Sequence, residues 1–130
     1  MTHKSIRSIL MEATELRPLD QILKEYIEAC IKQEDSLHRG DSKTGNKQYR
    51  IINSIRRDLK ANPQYGIETL IPFLDHPNAN VRLTTAFCLI PIIPDQARAV
   101  LVELSIGRGM VAFNAEMTLS EWDKGNLKFD

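Results

Sequence analysis

The chain has 130 residues, 42% hydrophobic and 26% charged, with seventeen basic and seventeen acidic side chains in balance. That length and composition fit one soluble domain with a core of its own, and exclude a disordered chain or two ordinary domains. Zero formal net charge excludes a protein held on nucleic acid by bulk charge alone.

The opening MTHKSIRSILMEATELR has no uninterrupted apolar run ahead of its acids, so it does not read as a secretory signal. No stretch approaches the ~18 apolar residues of a membrane span. Cys30 and Cys88 are far apart in apolar surroundings, which reads as two structural thiols in a reduced compartment. These features predict a cytoplasmic protein, with residues 1–17 a helical extension and 18–130 one repeat domain.

Almost every element reads as helix. Pro18-Leu19-Asp20 opens the first, and Ile22, Leu23, Tyr26, Ile27, Cys30 and Ile31 form its apolar stripe to about Arg39. Gly40 to Gly45 reads as a loop and Asn46 as the cap of a second helix, which carries Ile51, Ile52, Ile55 and Leu59 and stops before Asn62-Pro63. A third helix spans about Gly66 to Leu74, with Pro72 predicting a kink or an early end.

Asn78 is the natural cap of a fourth helix, apolar nearly all round from Val81 to Ile90, with Arg82, Thr84 and Thr85 its polar members. A helix without a polar stripe belongs in the middle of a stack, so this one should be the most buried. Asp95 is the candidate cap of a fifth helix bearing Ala97, Val100, Leu101 and Leu104. The sixth carries Val111, Ala112, Ala115, Leu119 and Trp122 and stops at Gly125. The expected class is all-α.

Two apolar helices joined by Asp75-His76-Pro77-Asn78-x-x-Val81-Arg82 resemble a HEAT repeat, a unit that buries its apolar face only against copies of itself. A shift of 29 positions sets Val81 on Met110, Leu83 on Ala112, Ala86 on Ala115 and Ile90 on Leu119. With one residue inserted in the turn, Leu70 and Leu74 fall on Val100 and Leu104. The second pair reads as a degraded copy, as a terminal repeat with a polar outer side would be. The architecture expected is a short HEAT-like α-solenoid of about three antiparallel helix pairs.

The run from Asp75 to Leu83, the segment Ile93-Pro-Asp-Gln-Ala-Arg98, and Trp122-Asp-Lys-Gly125 with Leu127-Lys128 resemble a bacterial family of small HEAT-like proteins catalogued as a domain of unknown function. Gln33-Glu34-Asp35 and Asn46 occupy places where that family is similar, and the resemblance spans residues 19–129. The family usually has alanines after the arginine, where this chain has Thr84-Thr85. HEAT-like proteins of this size often serve as immunity partners of bacterial toxins. The resemblance therefore implies protein binding and names no catalytic residue.

Arg82 reads as structural, bonded to an acid or to backbone in the adjacent turn, with Asp75 the natural partner and Asn78 the cap. Trp122 reads as a core-closing residue. Lys43, Lys47, Arg50, Arg57 and Lys60 fall on a side of the second helix nearly opposed to Ile51, Ile52, Ile55 and Leu59. Residues 38–60 hold seven bases against two acids, whereas residues 12–35 hold seven acids against three bases. A solvated face explains the stripe; as a site, it makes Lys47, Arg50 and Arg57 the candidate partner-binding residues.

His3, His38 and His76 stand alone, and no metal-ligand spacing, nucleophile constellation or phosphate loop occurs. No cofactor, metal or catalysis is expected. The reading is a non-enzymatic module that binds one cognate protein, most simply an immunity protein occluding a toxin. A nucleic-acid-binding module using the basic face and an enzyme accessory subunit are the alternatives.

Overall fold

The structure, a computed structural model, describes residues 18–129. The expected helical extension over residues 1–17, with His3, lies outside the described residues. Within them every regular element is helical: α1 (Leu19–His38), α2 (Ser42–Ala61), a 3-10 helix (Ile67–Asp75), α3 (Ala79–Leu89), α4 (Pro94–Ser105) and α5 (Met110–Asp123). The chain is all-α. Elements next to each other in sequence pack together, α1 on α2, the 3-10 helix on α3, and α4 on α5. Helix α3 also touches α1, α4 and α5.

That central place follows from composition. Helix α3 buries Asn80, Val81, Leu83, Thr85, Ala86, Cys88 and Leu89, on more than one side, as its missing polar stripe requires. Its start is fixed by Asn78, whose side chain accepts from the Val81 N–H at 3.0 Å. Tyr26, Cys30, Ile55, Leu59, Leu70 and Leu101 complete the core around it.

Four local expectations need correction. The loop expected over residues 40–45 is shorter: Gly40 and Asp41 make the turn, α2 begins at Ser42, and Asp41 rather than Asn46 caps it, accepting from the Thr44 N–H at 3.1 Å. Gly45 lies inside α2 because the helix runs close to α1; a Cβ there would sit 3.0 Å from the Ser36 Oγ. Pro72 does not end its element, which is 3-10 throughout. A proline in mid-segment has no N–H for an α ladder and its ring opposes the carbonyl four residues back, so the tighter helix accommodates it. Helix α4 starts at Pro94 itself, which places Asp95 in its first turn and not at its cap.

The fourth correction concerns the α4–α5 pair. Ala112, Ala115 and Leu104 are buried as their counterparts Leu83, Ala86 and Leu74 are. Met110 is not, and with Val102, Ile106, Phe113 and Met117 it stands exposed on the sides of α4 and α5 turned from the core. The outer side of this pair is mixed rather than polar, its exposed apolar residues standing beside Gln96, Glu103 and Glu116.

Candidate functional site

Helix positions bring side chains from four elements around one groove of about 250 Å³. Helix α1 supplies Gln33 and Leu37, α2 supplies Tyr49, Ile52, Asn53 and Arg56, α3 supplies Asn80, Leu83, Thr84, Phe87 and Cys88, and α5 supplies Asn114 and Thr118. The walls are apolar, and Leu37 and Tyr49, 55% exposed, stand at the rim. Four carboxamides and one guanidinium punctuate the lining.

Part of that polar lining is held by the scaffold. The Asn80 Nδ2 donates to the Cys30 carbonyl at 2.7 Å and to the Gln33 Oε1 at 3.3 Å, which ties α3 to α1 across fifty positions of sequence. Arg56 is 8% exposed, and its charge opposes the effect of burial on the Cys88 thiol. Burial nonetheless pushes Cys88 up to about 12, and likewise Cys30, whose hydrogen bonds to Thr84 and Tyr26 pull the other way. Both thiols are free and buried. A thiol so far above neutral pH stays protonated and is a poor nucleophile.

The basic residues singled out from the sequence lie elsewhere. Lys47, Arg50 and Arg57 are exposed on α2, roughly 120° round the helix from the residues that line the groove. Lys47 and Arg50 border a shallow depression with Ile51 and Ser54, and Lys47 also faces Glu25, Glu28 and Lys32 of α1. They form a flank of the molecule rather than a pocket. The arginine in the groove is the neighbour of Arg57, and its signal was positional: Arg56 falls beside Ile52 at the edge of the apolar side of the wheel.

The structural residues divide. Arg82 stiffens the turn before α3, but through backbone: its Nη1 donates to the carbonyls of His76 at 2.7 Å and Pro77 at 3.0 Å. Asp75 is exposed and is not its partner; the element ends in an extended residue at His76, which brings carbonyls rather than the carboxylate toward the guanidinium. His76 is a turn residue, its Nδ1 accepting from the Asn78 N–H at 2.9 Å. Trp122 packs half-buried on the core with the Arg98 guanidinium 5.0 Å from its ring centre, and Arg98 pairs with Asp123 at 3.0 Å.

Comparison with known proteins follows the same outline. Residues 20–123 match the family described as a domain of unknown function, DUF2019. The chain belongs to that family. A similar solved structure is the crystal structure of the protein RPA1889 from Rhodopseudomonas palustris CGA009, with 23% identity and a TM-score of 0.78 over 85% of this chain and 93% of that one. At that identity the likeness speaks for the fold. No curated protein gives a significant match.

The family resemblance now has physical content at its quoted residues. Besides Gln33, the Glu34 Oε1 receives the Asn78 Nδ2 at 3.4 Å, and Asp35 pairs with Arg39 at 2.9 Å. The departure at Thr84-Thr85 is accommodated. Thr85 is fully buried with its hydroxyl 2.9 Å from that of Tyr26, while Thr84 lines the groove and hydrogen-bonds the Cys30 thiol.

Proposed function

We propose that this chain is a non-enzymatic protein-binding module that stacks its helix pairs as a short HEAT-like solenoid and takes its partner in the groove. The observation that carries this reading is the groove lining. Apolar walls with carboxamides between them suit a polypeptide, because an amide side chain both donates and accepts and so matches main-chain N–H and C=O groups. The exposed Leu37 and Tyr49 at the rim supply the apolar and aromatic contact that protein interfaces favour.

The basic flank adds direction. Lys47, Arg50 and Arg57 on α2 would steer an acidic partner toward the groove, and long-range charge of this kind acts on the association rate more than on the final affinity. The likeness of the turn motif to HEAT-like immunity proteins favours a bacterial toxin as that partner, neutralised by occlusion. Nucleic acid is the competing occupant of the basic flank.

Reversing Arg50 and Arg57 together to glutamate tests the assignment. Slower association with a protein partner, and weaker salt dependence of what remains, are the expected results. Loss of a salt-dependent shift with duplex DNA or RNA in the same variant would transfer the flank to nucleic acid instead.

A further inference from the structure

Met110, Phe113 and Met117 recur at three- and four-residue spacing and form one exposed stripe along α5. Val102 and Ile106, four apart, stand on the side of α4 turned from the core. The short connection from Ile106 to Gly109 sets the end of α4 beside the start of α5, so these residues gather around it. Phe113 is 54% and Ile106 79% exposed, which is more than the frayed edge of a core. Moved back by 29 positions, the α5 stripe falls on Val81, Thr84 and Cys88 of α3. There a helix covers it: Val81 is wholly buried, and Thr84 and Cys88 hydrogen-bond Cys30 and Tyr26 of α1. An outermost helix pair has no successor and normally turns polar side chains outward. On α5 the same register stays apolar, and among the described residues no helix lies over it.

We propose that this stripe pairs with itself: a second copy of the chain seats its α5 on that of the first, the two helices crossing in opposite senses at Phe113 about a two-fold axis. Area is the first support. The five side chains leave on the order of 500 Å² of apolar surface in water, a patch of the size that marks a binding face. A two-fold contact buries that surface twice, about 1,000 Å² before exposed neighbours such as Ala99 and Glu116 are counted, against about 1,200 Å² for the smallest stable interfaces. Charge is the second support. Arg108 lies five positions before Phe113 and Glu116 three after it, both exposed. Opposite senses therefore bring each Arg108 within about 3 Å, measured along the helix, of the other copy's Glu116. The same sense would set like charges side by side. Met110 and Met117, unbranched and adaptable, flank the place where the two Phe113 rings meet. Asn114, on the groove wall, stands about 100° round α5 from Phe113, so the pairing is independent of what the groove takes.

Sedimentation velocity on the full chain, from about 1 to 500 µM, tests the proposal. The mass should rise from that of one chain toward that of two, with a midpoint on the order of tens of micromolar for an interface of this modest size. Phe113→Glu, with the melting temperature checked first, sets two carboxylates against each other across the axis and should raise the midpoint at least about tenfold. Phe113→Ser serves if the glutamate unfolds the chain. Arg108→Glu should raise the midpoint about threefold, and adding Glu116→Arg should bring it back. The mass of a single chain at every concentration, the result if residues 1–17 of the same chain cover the stripe, would overturn the proposal. So would a dimer indifferent to the change at Phe113 in a folded variant, or one that the exchanged charges fail to restore.

Discussion

The hydroxyls of Tyr26 and Thr85 lie 2.9 Å apart, both residues wholly buried, and they join α1 to α3 across 59 positions of sequence. Tyr26 also stacks on Phe73 of the 3-10 helix, with ring centres 6.1 Å apart, so one side chain touches three elements. Its hydroxyl is held well above the usual phenol range, first by burial and then by the two neighbouring thiols. The pair is a polar bolt in an apolar core.

Thr85→Val should therefore cost about 1–3 kcal/mol, because it removes a partner from a buried hydroxyl. Tyr26→Phe with Thr85→Val should cost less than the sum of the two single changes. A double-mutant cycle in urea measures the coupling, expected at about 0.5–3 kcal/mol. A coupling near zero would mean that the Cys30 thiol, which also hydrogen-bonds Tyr26, satisfies the phenol alone.

Leu89 is fully buried near the end of α3, the helix around which the other elements pack. Leu89→Ala should cost roughly 2–5 kcal/mol in equilibrium unfolding. A loss under about 1 kcal/mol would place α3 at an edge of the fold rather than at its centre.

Arg82 and Asp75 separate cleanly by mutation. Arg82→Ala removes two hydrogen bonds from the turn that leads into α3 and should cost about 1–3 kcal/mol. Asp75→Ala should stay within about 0.5 kcal/mol, as for an exposed side chain outside any network. Equal losses from the two would restore the ion pair that the sequence pattern suggested.

The buried thiols make stability fall at alkaline pH. In the folded protein Cys30 and Cys88 are pushed from the ordinary 9.0 up to about 12, so above pH 9 the unfolded chain loses these protons first. The unfolded state then binds fewer protons than the native one, and the free energy of unfolding declines as pH rises from about 9 toward 12. Tyr26, shifted in the same direction, steepens the decline. Urea midpoints between pH 7.5 and 10.5 check this, with Cys30→Ala and Cys88→Ala together expected to flatten the slope. At neutral pH neither thiol should react with a disulfide reagent in the folded protein.

The sequence made the helices legible wherever the determinant was local. Asn78 before an apolar run announced a capped helix, and the missing polar stripe from Val81 to Ile90 announced its central burial. What escaped depended on distant neighbours. Gly45 reads as a loop residue until Ser36 of α1 is seen against it, and Thr85 reads as a mere departure from alanine until Tyr26 is placed opposite. Pro72 was visible, but its outcome is a continuous 3-10 element and not an early end.

The groove was the least legible part. Its polar members come from four elements, and no spacing along one helix gathers Gln33, Asn53, Asn80 and Asn114. Amphipathic reasoning favours residues opposite the apolar stripe, so it selected Lys47, Arg50 and Arg57. Arg56 sits at the border of the apolar positions and is buried, where charge is costly without compensation. A buried arginine on an apolar face was the one available sign.

Affinity capture from the source cells tests the central claim most directly: the immobilised full chain in nuclease-treated lysate, beside an Asn114→Arg variant whose longer side chain fills the groove and whose melting temperature is checked first. The account predicts one protein partner that survives nuclease. It also predicts that, once purified, this protein binds the groove-filled variant at least about tenfold more weakly, a loss of about 1.4 kcal/mol. Disappearance of every partner after nuclease treatment, or unchanged affinity for the groove-filled chain, would contradict it.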